Sequence, residues 1–125
     1  MTTERIQYLT AARLIDVALK MLDGGKRWTK GCFARDARHT EIGYDNTKAA
    51  CFCAVGAMYR SALTLDTPDR VHVKELARDA IAERADHCSV PVFNDALSTT
   101  FADVERVLTE AAADLREKAA KAENG

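Results

Sequence analysis

The chain has 125 residues, 47% of them hydrophobic and 30% charged, the size and balance of one globular domain. With 18 basic residues against 19 acidic ones the formal charge is −1, which excludes a general basic field for phosphate backbones, so bulk nucleic-acid binding is not expected. The opening, MTTERIQYL, lacks a basic region followed by an apolar one. The longest apolar run, residues 49–59, falls well short of the roughly 20 residues a membrane helix needs. A cytoplasmic protein without membrane association is therefore expected, its four cysteines being free thiols rather than disulfides.

Helical periodicity is strong in four places, and no segment alternates cleanly as a strand would. The first helix is expected over residues 4–23, capped by Thr2 or Thr3 and stopped by Gly24 and Gly25. Tyr8, Ala12, Ile15, Leu19 and Leu22 recur on one face, and Ile6, Leu9, Val17 and Met21 widen it, as for a helix with more than one neighbour. Residues 26–46, KRWTKGCFARDARHTEIGYDN, then read as a long loop pinned by Trp28 and Phe33; loops of that length in compact domains are often functional. A short strand pair over residues 32–34 and 40–42 is compatible with the sequence, although Ala37, Arg38 and His39 make a poor hairpin turn.

The second helix is expected over residues 48–63, KAACFCAVGAMYRSAL, with Asn46 or Thr47 as its cap. A third starts between Pro68 and Val73, with Thr67 as cap, and buries Val73, Leu76, Ala77, Ala80 and Ile81. VPVFNDALSTT, residues 90–100, reads as irregular, broken by Pro91. Thr100 and Asp103 then form a capping-box pattern ahead of a last helix with Phe101, Val104, Leu108, Ala111 and Leu115 on one face. Its end, KAAKAENG, has nothing large to bury and should fray over about residues 117–125.

Cys51 and Cys53 raise the question of metal or redox chemistry. On a helix they would stand about 200° apart, too divergent to share a metal ion or a disulfide. Their neighbours are apolar all round, so the pair reads as core, with Gly56 retained for close approach by another helix or by the long loop. A composite site joining Cys53 to Cys32, His87 or Cys88 lacks the short ligand spacings of structural zinc, and neither metal nor cofactor is expected.

Two polar groupings remain. In FARDARH, Arg35 or Arg38 could grip an anionic partner group, against the simpler reading of solvated charges with Asp36 bonding nearby amides. Asn94 and Asp95 fit a turn or helix start, with a recognition role as the alternative. No Gly-rich phosphate loop, serine elbow or H-E-x-x-H pattern occurs.

The order of Trp28 with Ala34-Arg35-Asp36, then Cys53-Ala54-Val55-Gly56-Ala57, then Phe93-Asn94-Asp95 resembles an uncharacterised family of small bacterial and phage proteins, over roughly residues 5–111. Phe93 stands where that family usually carries tryptophan. The resemblance implies a helical fold with the three motifs packed together, and no activity.

The expected architecture is an all-α single domain over residues 1–125, a four-helix bundle with a long loop between the first two helices. The expected function is noncatalytic binding of a protein or small molecule, in a phage or mobile-element setting, through Trp28, Arg35, Asp36, Asn94 and Asp95. Trp28 should meet the turn at residues 92–95, with Arg35 or Asp36 close to Asn94 and Asp95. The alternative is a small cysteine-dependent hydrolase or transferase using Cys32 or Cys88 with a nearby histidine.

Overall fold

The computed structural model describes residues 3–86 and 89–124. In chain order the elements are α1 (Thr3–Met21), a 3-10 turn (Asp23–Gly25), β1 (Ala34–Arg35), β2 (Glu41–Ile42), β3 (Cys51–Phe52), α2 (Ala54–Ala62), α3 (Arg70–Arg84), α4 (Val90–Asp95) and α5 (Phe101–Asn124). The molecule is mostly helical, at 63%, but it is not all-α, because the three short strands form one antiparallel sheet in the order β2-β1-β3. The four-helix expectation therefore needs correcting to five helices and a small sheet among the described residues.

The helical frame rests on small side chains. Ala11, Ala12 and Ala18 of α1 and Ala111 and Ala119 of α5 have no solvent exposure, which lets these two helices approach closely along their length. Ile15, Leu22, Met58, Ile81, Leu108 and Leu115 fill the space between α1, α2, α3 and α5. Across α3 and α5, the Arg84 guanidinium grips Asp114 through Nε at 2.5 Å and Nη2 at 2.6 Å. The segment expected to fray stays helical to Asn124, and Arg5 of α1 donates to the Ala119 carbonyl at 3.1 Å. No helix among the described residues is long and apolar enough to cross a membrane.

The capping box of α5 forms as its sequence pattern implies. Thr100 N donates to Asp103 Oδ2 at 2.8 Å, and Asp103 N donates to Thr100 Oγ1 at 3.3 Å. Thr100→Ala removes one half of this exchange and is expected to cost about 1 kcal/mol, read as a lowered thermal midpoint. An unchanged midpoint would mean that α5 packing alone sets where the helix begins.

Helix starts and caps differ from expectation in three places. Thr2 lies outside the described residues, and Thr3 is already helical. α3 begins at Arg70, within the expected range, but Asp69 rather than Thr67 stands at its N-cap, and the Asp69 carboxylate accepts from Thr67 Oγ1 at 2.5 Å and Gln7 Nε2 at 2.9 Å. α2 begins at Ala54, not near residue 48. An apolar run is compatible with a buried strand or a buried helix, and periodicity alone cannot choose. Here Cys51 and Phe52 pair with Arg35 and Ala34, which makes them strand. Both Cys51 and Cys53 are buried, so the pair is core, although the helical geometry first invoked for it does not apply.

Residues 26–46 are more ordered than a loop. Asp36 closes the β1–β2 hairpin: its Oδ1 accepts from Arg38 N and Thr40 N, both at 2.9 Å, and His39 takes a left-handed φ of 65°. Asx-type bonding of this kind supplies the turn that Ala37, Arg38 and His39 would not make alone. Phe33 stacks with Tyr44 of the following turn and Tyr59 of α2, each with ring centres 6.0 Å away.

Candidate functional site

The long connection and α4 meet at one buried side chain. α4 starts at Ser89, whose side chain accepts from Val92 N, with Pro91 in its first turn, where a missing N–H costs nothing. Five residues after Ser89, Asn94 has no solvent exposure. Its Oδ1 accepts from Trp28 Nε1 at 2.7 Å and from Ala54 N, the first amide of α2, at 3.0 Å. Its Nδ2 donates to Thr29 O at 3.0 Å and to Asp95 Oδ1 at 2.9 Å. One amide thereby ties the loop, α2 and α4 together, with each hydrogen-bonding group matched.

The neighbouring polar groups continue the same work. Asp95 Oδ1 also accepts from Gly31 N at 2.9 Å, and Gly31 needs its φ of 87° to present that amide. Lys30 Nζ donates to the carbonyls of Ala96 at 2.7 Å and Thr99 at 2.8 Å, and lies 5.4 Å from the Trp28 ring centre. Arg35 binds Thr29 Oγ1, His39 O and Lys30 O, each at 3.2 Å. Trp28 packs against α4 as expected from its need for burial. Arg35 reaches Asn94 only through Thr29, which each grips from a different side, while Asp36 is occupied in the hairpin. Trp28, Arg35, Asn94 and Asp95 thus share a neighbourhood, Asp36 stands apart in the hairpin, and all five bond to groups of the protein itself.

Beside them lies an open cleft of about 280 Å³ lined by Gly31, Cys32, Phe33, Glu41, Cys53, Pro91 and Asp95. Pro91 and Asp95 share one face of α4 at i, i+4 spacing, and Gly31, Cys32 and Phe33 form the opposite lip. Cys53 caps α2: its Sγ accepts from Gly56 N at 3.3 Å. Burial pushes its thiol up to about 11, against the hydrogen bonds from Gly56 and Val55, and Asp95 adds to the rise. Burial also raises the Cys32 thiol, Glu41 adds to that rise, and Arg35 opposes it. Both thiols are protonated at neutral pH, the reverse of what a thiolate nucleophile requires. Between about 9, the ordinary thiol value, and about 11, the unfolded chain releases a proton that folded Cys53 keeps, so stability falls as pH rises across that interval.

His87 and Cys88, named for the composite site and for the alternative nucleophile, lie outside the described residues. Cys53 and Cys32 do line one cleft, but no group of three or more His, Cys, Asp or Glu among the described residues is arranged to hold a metal ion.

Trp28, the start of α2 at Ala54, and Asn94 thus meet at one junction within a mostly helical fold. A family of unknown function, DUF6197, matches residues 7–114. The chain belongs to that family. Nothing among curated proteins or solved structures matches it. The DUF6197 span takes in the whole junction, from Trp28 through Ala54 to Asp95, together with every residue lining the cleft.

Reading the sequence of this DUF6197 chain missed Gly31, Glu41 and Pro91 as cleft residues and did not assign α4. The signals were present: Ser89 followed within two residues by Pro91 is a helix-start pattern, and a helix there would have placed Pro91 and Asp95 on one face. Proline was weighed as a breaker, when its tolerance in a first turn was the relevant property.

Proposed function

We propose that this protein is a noncatalytic binding module whose recognition site is the cleft between residues 31–33 and α4. The occupant is a neutral or cationic group of a small molecule or partner protein. The observation that carries this reading is the chemistry of the lining. Two carboxylates, Glu41 and Asp95, flank a floor of protonated thiols, Phe33 and Pro91, with no cationic side chain among the lining residues. Such a cleft attracts an ammonium or guanidinium group and repels a phosphate or carboxylate. Phe33, at 43% exposure, adds a ring face on which a cation can rest. Trp28, Arg35, Asp36, Asn94 and Asp95 serve this function by fixing the two lips. A mobile-element setting belongs to the same proposal, on the shared order of the three motifs.

Agmatine and succinate, titrated separately into isotope-labelled protein, test the proposal. The diamine-like guanidinium compound is expected to shift the amide resonances of Gly31, Phe33 and Asp95, the dianion to leave them unmoved, and Glu41→Gln to weaken the response severalfold. Equal responses to both compounds, or none to agmatine, would sink the reading. Rapid labelling of Cys32 at neutral pH would return the cysteine-dependent alternative to first place.

A further inference from the structure

A second surface, remote in chemistry from the acidic cleft, lies along the outer side of α1. The wide apolar stripe of this helix was expected to be covered by neighbours, yet Ile6 is 48% exposed and Val17 41%. At 100° per residue, Ile6, Leu9, Arg13, Val17 and Lys20 fall within an arc of about 80° and extend for about 21 Å along the helix. The face carries a shallow, open groove of about 450 Å³, lined by Leu9, Arg13, Asp16, Val17, Lys20 and Arg116. Asp16 pairs with Arg116 of α5, so the one carboxylate in the groove is neutralised. Arg13 and Lys20 are exposed, and no salt bridge engages either among the described residues. A protein of net charge −1 thus gathers two unpaired cations around an apolar trough.

We infer that this groove docks an amphipathic helix of a partner protein, with apolar side chains resting on Leu9 and Val17 and carboxylates meeting Arg13 and Lys20. Charge complementarity selects an acidic partner, and the alternation of apolar and basic positions along one helix face matches the spacing of side chains on another helix. Two free cations are few for an anionic membrane, where each contributes only about 1 kcal/mol, so the charge pattern favours a protein partner.

The test uses a labelled synthetic helical peptide with leucines at i, i+3 and i+7 flanked by glutamates, alongside a counterpart with lysines for the glutamates. Fluorescence polarisation is expected to show binding of the acidic peptide only, weakening as salt is raised. The double variant Arg13→Glu with Lys20→Glu, and separately Val17→Asp, should each weaken it by roughly tenfold or more. These side chains face outward, so an unchanged thermal midpoint verifies that the variants are folded. The inference is overturned if both peptides bind alike, if neither binds, or if the variants bind as well as the wild type. It is also overturned if phosphatidylserine vesicles replace the acidic peptide as the ligand. A concentration-dependent dimer of the protein abolished by Val17→Asp would likewise overturn it, in favour of a second copy.

Discussion

Gly56→Ala should destabilise the protein by about 1–3 kcal/mol, although the same exchange within a helix ordinarily gains about 1 kcal/mol. The reversal follows from what lies opposite. A Cβ built at residue 56 would stand 2.1 Å from the carbonyl oxygen of Phe33 and 2.9 Å from its carbon, both backbone atoms. That carbonyl already accepts from Cys53 N at 3.1 Å, so β1 cannot retreat without breaking the bond that leads into α2. The glycine was read as a point of close approach, and the approaching element is the long connection itself. Urea denaturation gives the free energy, and Gly56→Leu should be worse than alanine. An alanine variant as stable as the wild type would show that residue 33 yields freely and that the cleft lip is soft.

The second large effect is expected at Asn94. Alanine there strands Trp28 Nε1, Ala54 N and the Thr29 carbonyl at once, and the loss should reach about 3 kcal/mol or more. Asn94→Asp discriminates between lost volume and lost bonding. A carboxylate can accept from Trp28 and Ala54, but it faces Asp95 and the Thr29 carbonyl with no hydrogen to offer. Burial and Asp95 would raise its pKa, so the protonated form is favoured in the folded state. The penalty relative to wild type should therefore ease as pH is lowered toward about 4, the unfolded carboxyl value. Trp28 is the one tryptophan, so its emission reports the junction directly. Equal penalties for both variants at every pH would mean that volume, not bonding, decides.

Elements governed by neighbours in sequence were legible before any coordinates. The Thr100 and Asp103 exchange needs residues only three apart, and α1 and α5 announce themselves by period and stop signals. The contact of Trp28 with α4 was also reachable, since a lone large aromatic in an irregular stretch must be buried against something. The start of α2 was not, because whether Cys51 and Phe52 extend depends on β1, a partner in a different segment. Among the candidate site residues, what their side chains bond to was not legible in the sequence. Arg35, Asp36 and Asn94 resemble recognition residues in any sequence, and only their partners reveal that they hold backbone. The cleft lining comes from separate segments, residues 31–33, 41, 53 and 91–95, so no local sequence pattern flags it.

The Asn94 junction also orders events as the chain is made. Ala54 leaves the ribosome 40 residues before the side chain that will accept its amide proton, and Trp28 leaves 66 residues before the same atom. Until then both depend on water. α1 waits longer still, because α5, on which it packs most extensively, follows the other described elements in the chain. Closing such distant contacts late carries the loop-closure entropy of most of the chain. The face that α1 turns to α5 therefore stays uncovered until α5 is made.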